Sequence, residues 1–154
     1  NLNMYKSEKP MILPVDDNEP TCTVMTALLH KDFAIETATD GTEAIEKLRT
    51  NSYVAIVLDL LMPQLDGYGV LHFLKENNPQ LLLRVLVVTA ALSPSDVKRV
   101  REYDVCALIA KSFEVETFLN AVRQCTDEAS PSRGTFLSSG VILLLAELFR
   151  QRCL

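Results

Sequence analysis

The sequence has no excess of basic residues and no apolar run long enough to cross a membrane. Its 154 residues include 15 Lys and Arg against 20 Asp and Glu, a formal net charge of -5. Proteins that bind nucleic acid nonspecifically present a basic face, so this balance argues against direct nucleic-acid binding. An apolar run near the C-terminus, residues 141–146, ends at Glu147, whereas a spanning helix needs about 20 apolar residues. We therefore predict no membrane segment.

Cysteine and histidine are scarce, with four and two residues respectively. No two cysteines form a CxxC pair and neither histidine stands at a metal-ligand spacing from them, which excludes an ordinary zinc site. Because Cys22, Cys106, Cys125 and Cys153 are widely and irregularly spaced, we expect reduced thiols. The first ten residues are polar and contain no signal peptide core, so we expect a cytoplasmic location.

The remaining composition is that of a folded domain with its own core. Hydrophobic residues make up 48% of the chain, which excludes disordered and collagen-like chains. Short runs rich in β-branched residues predict five strands, and the segments between them have the apolar spacing of helices. The strands are predicted at residues 11–15, 33–37, 54–58, 85–89 and 105–110.

This alternation of strands and helices predicts an α/β fold. Short connections favour a doubly wound, five-stranded parallel sheet with helices on both faces. Continuous apolar runs such as residues 54–58 fit strands that are buried on both sides. The carboxyl ends of such strands meet at one edge of the sheet, where ligands bind.

The chain divides into three parts on composition. Residues 10–126 form the predicted domain, residues 127–135 a polar linker, and residues 136–154 an apolar helical segment. A helix of about 12 residues is marginally stable alone in water, so this segment must bury its apolar face. It packs on its own domain, forms a dimer interface, or belongs to a longer output region. We favour a homodimer through residues 136–154.

Acidic residues follow the predicted strands. Asp16 and Asp17 come after the first strand and Asp59 after the third, while Thr89 ends the fourth and Lys111 follows the fifth. Three neighbouring carboxylates repel one another and need a cation. Oxygen ligands without nearby His or Cys favour Mg²⁺. Such a site suits phosphoryl transfer, with one carboxylate as the nucleophile.

In this arrangement the chain resembles the receiver domain of bacterial two-component response regulators, of the single-domain chemotaxis type. The resemblance rests on Asp16-Asp17, on the run Leu58-Asp59-Leu60-Leu61-Met62-Pro63 with Asp66-Gly67 after it, on Thr89-Ala90, and on Lys111 with Phe113. It covers about three-quarters of the chain. It implies a flavodoxin-like fold with strand order 2-1-3-4-5.

The resemblance also implies a function for the acidic residues. Asp59 would accept a phosphoryl group from the phosphohistidine of a sensor histidine kinase or a phosphotransfer protein. Asp17 would bind Mg²⁺ directly and Asp16 through water, with Asp59 and the backbone carbonyl of Leu61 as further ligands.

Two further residues would contact the phosphoryl group. Lys111 would pair with it, and Thr89 would donate a hydrogen bond to it and draw in the loop after the fourth strand. Phosphorylation would then favour a conformer with an altered face around the fourth helix, fifth strand and fifth helix. An unknown downstream protein would bind that face. The chain would be a signalling domain that assists its own phosphorylation and dephosphorylation, not an enzyme acting on other substrates.

Two departures from the family pattern concern the switch. Ser112 stands where a proline, often cis, normally follows the lysine, so the bend that aims Lys111 is less strictly fixed. Leu108 occupies the position of the usual switch aromatic and has no polar tip. Tyr103 is a candidate replacement, although we place it in the fourth helix, where ordinary packing is the simpler interpretation.

Two other departures concern the sheet and the pocket. Pro14 lies in the central first strand and lacks a ladder N–H, which predicts a bulge or irregular pairing near Asp16. Leu61 and Ala91 are apolar at positions that line the approach to the phosphoryl group. Neither can orient an attacking water, so we expect slow autodephosphorylation.

Two rival functions use the same fold. A pseudo-receiver would be a protein-interaction module that no longer switches, and Ser112 and Leu108 are compatible with it. An aspartyl phosphatase would need a second catalytic Asp two residues after the first, where this chain has Leu61. The complete acidic set favours a phosphorylated receiver.

Overall fold

The computed structural model describes residues 8–90 and 92–127. The strands are β1 (Met11–Val15), β2 (Ala34–Ile35), β3 (Ala55–Leu58), β4 (Val85–Thr89) and β5 (Ala107–Ala110). The helices are α1 (Glu19–Leu29), α2 (Gly41–Thr50), α3 (Gly67–Asn77), α4 (Pro94–Val100) and α5 (Val115–Thr126), and a 3-10 helix (Pro79–Arg84) precedes β4. Ala91, most of the predicted linker, and the C-terminal segment 136–154 with its proposed dimer interface lie outside the described residues.

The five strands form one parallel sheet in the order β2-β1-β3-β4-β5, which confirms the predicted fold class. Successive strand residues point to opposite faces, and both faces are apolar. One core lies under α2, α3 and α4 and includes Leu13, Ile56 and Val87. The other lies under α1 and α5 and includes Ile12, Val57 and Phe118. This double coverage explains the continuous apolar runs.

Within the described ranges, no helix is long and apolar enough to span a bilayer.

Side chains at the helix starts explain where the helices begin. Asp40 and Asp66 accept hydrogen bonds from backbone N–H groups in the first turns of α2 and α3. Ser93 and Asp96 form a reciprocal capping box at the start of α4, with Pro94 in the first turn.

The pairing around Pro14 is irregular on one side, as predicted. The β1–β3 ladder runs regularly through Pro14 and Val57. The β1–β2 ladder covers two residue pairs and resumes only at an isolated bridge between Val15 and Ala38. Ala38 N donates to the Pro14 carbonyl (2.9 Å), so the proline nitrogen, which carries no hydrogen, faces β2. The interruption of the β1–β2 ladder lies at the residue that cannot donate.

The expectation of reduced thiols is wrong for two of the cysteines. Cys106 and Cys125 form a disulfide with their Cα atoms 5.7 Å apart, whereas Cys22 is free and buried. The irregular spacing of the cysteines in sequence did not indicate this pairing. It arises because α5 runs back along the sheet after β5, which brings the end of α5 beside the start of β5. Cys106 therefore lies just before β5, outside the strand although the predicted strand at residues 105–110 included it. Tyr103 also lies beyond the end of α4, contrary to prediction.

Candidate functional site

The structure brings the predicted polar residues to the carboxyl edge of the central strands. Asp16 follows β1, Asp59 follows β3, Thr89 ends β4 and Lys111 follows β5. Asp16, Asp59 and Thr89 are buried, whereas Asp17 is exposed. Buried charged residues are rare unless they are paired, so these side chains form a specific polar centre within an apolar fold.

Lys111 joins the two buried carboxylates. Its Nζ lies 2.8 Å from Asp16 Oδ2 and donates to Asp59 Oδ2 at 3.0 Å. The backbone amide of Lys111 donates to the Thr89 carbonyl (2.8 Å), which extends the β4–β5 ladder to the pocket. Ser112 next to it has a φ of 67°, in the left-handed region. Among the described residues there is no cis peptide bond, so a left-handed serine makes the bend that aims the lysine.

Backbone N–H groups hold the remaining carboxylate oxygens. Asn18 N donates to Asp16 Oδ1 (2.8 Å), and Leu61 N donates to Asp59 Oδ1 (3.2 Å). Both contacts are short-range turns after a strand, so the loops themselves orient the acids. Leu61, two residues after Asp59, is apolar and 55% exposed.

Burial and mutual charge set the pKa directions in the pocket. Burial raises the pKa of Asp59, and the negative charge of Asp16 raises it further. Hydrogen bonds from Lys111 and from the Leu61 backbone oppose this shift. Burial lowers the pKa of Lys111, but its close contacts with the carboxylates of Asp16 and Asp59 outweigh this, and the net shift is upward. The ammonium of Lys111 therefore stays charged at neutral pH. A further positive charge in the pocket would stabilise the ionised form of Asp59.

The donor set fits a small hard cation. One carboxylate oxygen from each of Asp16, Asp17 and Asp59 lies within 4.8 Å of the others. Two oxygens on opposite sides of a Mg²⁺ ion are about 4.2 Å apart, so small side-chain adjustments suffice. Asp16 Oδ2 is buried and accepts no hydrogen bond of good geometry, despite its ion pair with Lys111. Three carboxylates against one ammonium leave two negative charges, which a divalent ion would balance.

Thr89 has a free hydroxyl at the same edge. Its Oγ1 is buried and has no hydrogen-bond partner in the described part of the chain. An unsatisfied buried hydroxyl costs free energy, about 1–3 kcal/mol, and is compatible with a hydroxyl that binds a further group. Leu108, three residues before Lys111, is completely buried in the apolar core and has no polar atom in its side chain.

Sequence reasoning missed two contacts near the site. The Cys22 thiol donates to the Asp16 carbonyl (3.4 Å) from α1. Tyr68 on α3 donates to Asp96 on α4 (2.6 Å). Asp96 belongs to the capping box of α4, but nothing in the sequence pattern indicates that α3 and α4 approach each other at this residue.

Comparison with known proteins identifies relatives of the same architecture. A family profile described as "Response regulator receiver domain" matches residues 12–123. The response regulator MprA of Mycobacterium sp. (strain KMS) is 34% identical over 126 residues, which cover 80% of this chain and 53% of MprA. The chain spans between 19% and 53% of the length of the first curated relatives that it matches.

Solved structures give the same result. The non-phosphorylated HemR receiver domain from Leptospira biflexa superimposes with a TM-score of 0.72 at 27% identity, covering 80% of this chain and 98% of that one. The beryllofluoride-activated NtrC4 receiver domain dimer has a TM-score of 0.70 at 30% identity, with coverages of 77% and 97%.

Proposed function

The chain belongs to the response regulator receiver domain family of two-component systems, and we propose that it is a working receiver with Asp59 as the phosphoacceptor. The observation that carries the proposal is the joint placement of three carboxylates, with one oxygen of each within 4.8 Å of the others, and of Lys111 in ion pairs with two of them. A module kept only for protein interaction has no need of such a pocket.

The transfer we propose uses the groups already in place. A carboxylate oxygen of Asp59 attacks the phosphorus of a phosphohistidine, the P–N bond breaks, and the leaving imidazole nitrogen takes a proton from water. The histidine belongs to a sensor histidine kinase or a phosphotransfer protein. The ammonium of Lys111, which lies beside Asp59 Oδ2, balances the negative charge on the oxygens of the phosphoryl group as it joins Asp59.

The protein holds the acceptor rigidly for this attack. Leu61 N fixes Asp59 Oδ1, and the backbone amide of Asp59 donates to the Val15 carbonyl (3.0 Å) on β1. Preorganised donors of this kind cost no reorganisation during the reaction. Asp16, Asp17, Asp59 and the carbonyl of Leu61 would hold Mg²⁺, which when bound supplies charge neutralisation for the phosphoryl oxygens.

The output is a population shift. Thr89 would donate its free hydroxyl to a phosphoryl oxygen, and the loop that leads from Thr89 to α4 would follow. The altered face would include α4, β5 and α5 and would bind a downstream protein. A cytoplasmic location is part of this proposal, because the phosphoryl donor has to reach the pocket.

Intact-protein mass spectrometry with acetyl phosphate and Mg²⁺ tests the proposal. We expect the wild type to gain one phosphoryl group only when Mg²⁺ is present, and Asp59→Asn to gain none. Glu76→Gln, a change of an exposed acid on α3 away from the pocket, is the matched control and should label normally. A wild type that does not label would favour the pseudo-receiver, for which Leu108 and Ser112 are the supporting residues.

A further inference from the structure

The hydrogen bond between Tyr68 and Asp96 connects α3, the helix that follows Asp59, with α4, the helix that follows Thr89. Tyr68 lies in the first turn of α3 and is 6% exposed. Its Oη donates to Asp96 Oδ1 on α4 at 2.6 Å, and the Arg99 guanidinium carbon, also on α4, lies 3.7 Å from the centre of its ring. Both contacts bind α4 to the same aromatic side chain.

The α3 end of this contact is fixed against the phosphoacceptor. Gly67 precedes Tyr68, and a Cβ placed on Gly67 would lie 2.3 Å from the Asp59 carbonyl oxygen. The first turn of α3 therefore packs directly on the Asp59 backbone. Asp66 caps this turn by accepting from Gly69 N (3.1 Å). Tyr68 thus has little freedom to follow a movement of α4.

The α4 end is fixed to the loop that follows Thr89. The second oxygen of Asp96, Oδ2, accepts from Ser93 Oγ (2.6 Å) and from Ser93 N (3.2 Å). Ser93 lies four residues after Thr89. Any displacement of Ser93 that follows Thr89 toward Asp59 would move Asp96 with it, and Tyr68 cannot move in the same way.

Protonation states keep this contact strong at neutral pH. Hydrogen bonds from Ser93 and from Tyr68 hold the pKa of Asp96 below its ordinary value. Burial, and then the hydrogen bond to Asp96, raise the pKa of the Tyr68 hydroxyl. The bond therefore joins a neutral donor to a charged acceptor, the stronger class of hydrogen bond.

From this geometry we propose that Tyr68 is a positioning residue that transmits the state of Asp59 to α4. It holds α4 through Asp96 and Arg99 in the conformer seen here, and the bond to Asp96 breaks when Thr89 moves toward a phosphoryl group. Tyr68 packs in the same buried cluster as Leu92, Val97 and Leu108. It thus provides the polar tip that Leu108 lacks. This inference rests on the proposed function.

The experiment compares Tyr68→Phe with a matched variant, Tyr53→Phe. Tyr53 is 7% exposed and also donates to a carboxylate, Glu36 Oε1, at 2.8 Å, but it lies just before β3, at the opposite end of that strand from Asp59. Hydrogen exchange of the α4 backbone amides is measured in wild type and both variants, free and with Mg²⁺ and beryllofluoride. Equilibrium unfolding of each variant reports the general loss of stability.

We expect beryllofluoride to speed exchange in α4 of the wild type. Tyr68→Phe should speed it without beryllofluoride by roughly tenfold or more, the equivalent of one hydrogen bond to a charged group. It should then respond little to beryllofluoride, and Tyr53→Phe should behave as the wild type. Asp96→Asn, which also weakens the capping box at Ser93, should speed exchange at least as much as Tyr68→Phe, and adding Tyr68→Phe to it should have no further effect.

Two results would overturn the inference, and they differ from a failure of the proposed function. If free Tyr68→Phe and Tyr53→Phe exchange equally in α4, Tyr68 does not hold α4, whether or not Asp59 is phosphorylated. If Tyr68→Phe loosens α4 but the wild type labels on Asp59 without any change in α4, Tyr68 does not transmit the state of Asp59. A wild type that neither labels nor responds to beryllofluoride contradicts the proposed function and, with it, the coupling.

Discussion

Gly67 and Asp59 are in backbone contact: a Cβ built on Gly67 would stand 2.3 Å from the Asp59 carbonyl oxygen and 2.7 Å from Leu60 Cα. Both obstacles are backbone atoms at the end of a buried central strand, so neither can give way by a change of rotamer. The start of α3 and the loop after Asp59 therefore form one packed unit.

This contact predicts that Gly67→Ala lowers the free energy of unfolding by about 2–3 kcal/mol, because the strand end or the helix must shift. Urea unfolding measures it. Gln64→Gly, three residues earlier, is the contrasting variant: Gln64 has a φ of 62°, and glycine adopts this region without strain, so stability should rise by up to about 1 kcal/mol. Equal stability of Gly67→Ala and wild type would show that the contact is looser than described.

Mg²⁺ is expected to stabilise the protein through the acidic cluster. At about 100 times its Kd, a ligand specific for the native state adds roughly 2.7 kcal/mol to the unfolding free energy. Asp17→Asn should lose most of this gain while its stability without Mg²⁺ is unchanged, because Asp17 is exposed. Thermal unfolding with Mg²⁺, against NaCl of equal ionic strength, measures both.

The control is Glu19→Gln, which removes an exposed acid from the first turn of α1, outside the cluster. It should keep the full response to Mg²⁺. Loss of the same stabilisation in Glu19→Gln and Asp17→Asn would mean that the ion acts on general surface charge.

Leu61 is expected to slow autodephosphorylation. Its apolar, exposed side chain cannot orient a water beside Asp59, and Ala91, the second residue predicted to line the approach, lies outside the described residues. Leu61→Asn supplies one hydrogen-bonding group, worth about 1 kcal/mol, or roughly a fivefold faster loss of the phosphoryl group. Val24→Asn, at another exposed apolar site on α1, should leave the rate unchanged. A wild-type half-life of seconds after removal of the phosphodonor would contradict this account.

The disulfide is expected to contribute measurably to stability. Cys106 and Cys125 are 19 residues apart in sequence, and closing a loop of this length stabilises a fold by roughly 3 kcal/mol in the chain-entropy description. Unfolding in urea should therefore occur at lower denaturant with reductant, and Cys106→Ser should show no further effect of reductant. Cys22→Ser, which removes the free buried thiol, should keep the reductant effect. Four titratable thiols in the unreduced, unfolded wild type would show that the bond does not form.

The sequence predicts the sheet better than it predicts the contacts between the elements around it. Strands β1 and β4 begin and end at the same residues as their apolar runs. A strand covered on both faces is apolar along its whole length, so the run marks its ends. Parallel topology then places Asp16, Asp59, Thr89 and Lys111 at one edge. Pro14 alone predicts an interrupted ladder, because a strand residue without an N–H cannot donate to the neighbouring strand that it faces.

Contacts between distant elements could not be read in the same way. The Cys106–Cys125 bond depends on α5 returning beside the start of β5, and the Tyr68–Asp96 bond on how closely α3 and α4 approach. The bend after Lys111 is a further case: a left-handed Ser112 makes it, although the residue type favours no such conformation. Local pattern determines which residues are buried, whereas side-chain pairing follows from packing in three dimensions.

The most direct test of Asp59 as the phosphoacceptor is to locate the phosphoryl group chemically. Borohydride reduces an aspartyl phosphate to homoserine, so protein treated with acetyl phosphate and Mg²⁺, then with borohydride, can be digested and sequenced by mass spectrometry. We expect homoserine at position 59, only when Mg²⁺ was present, and unmodified aspartate at positions 16 and 17. Homoserine at another aspartate, or at none, would contradict the assignment of Asp59 as the phosphoacceptor.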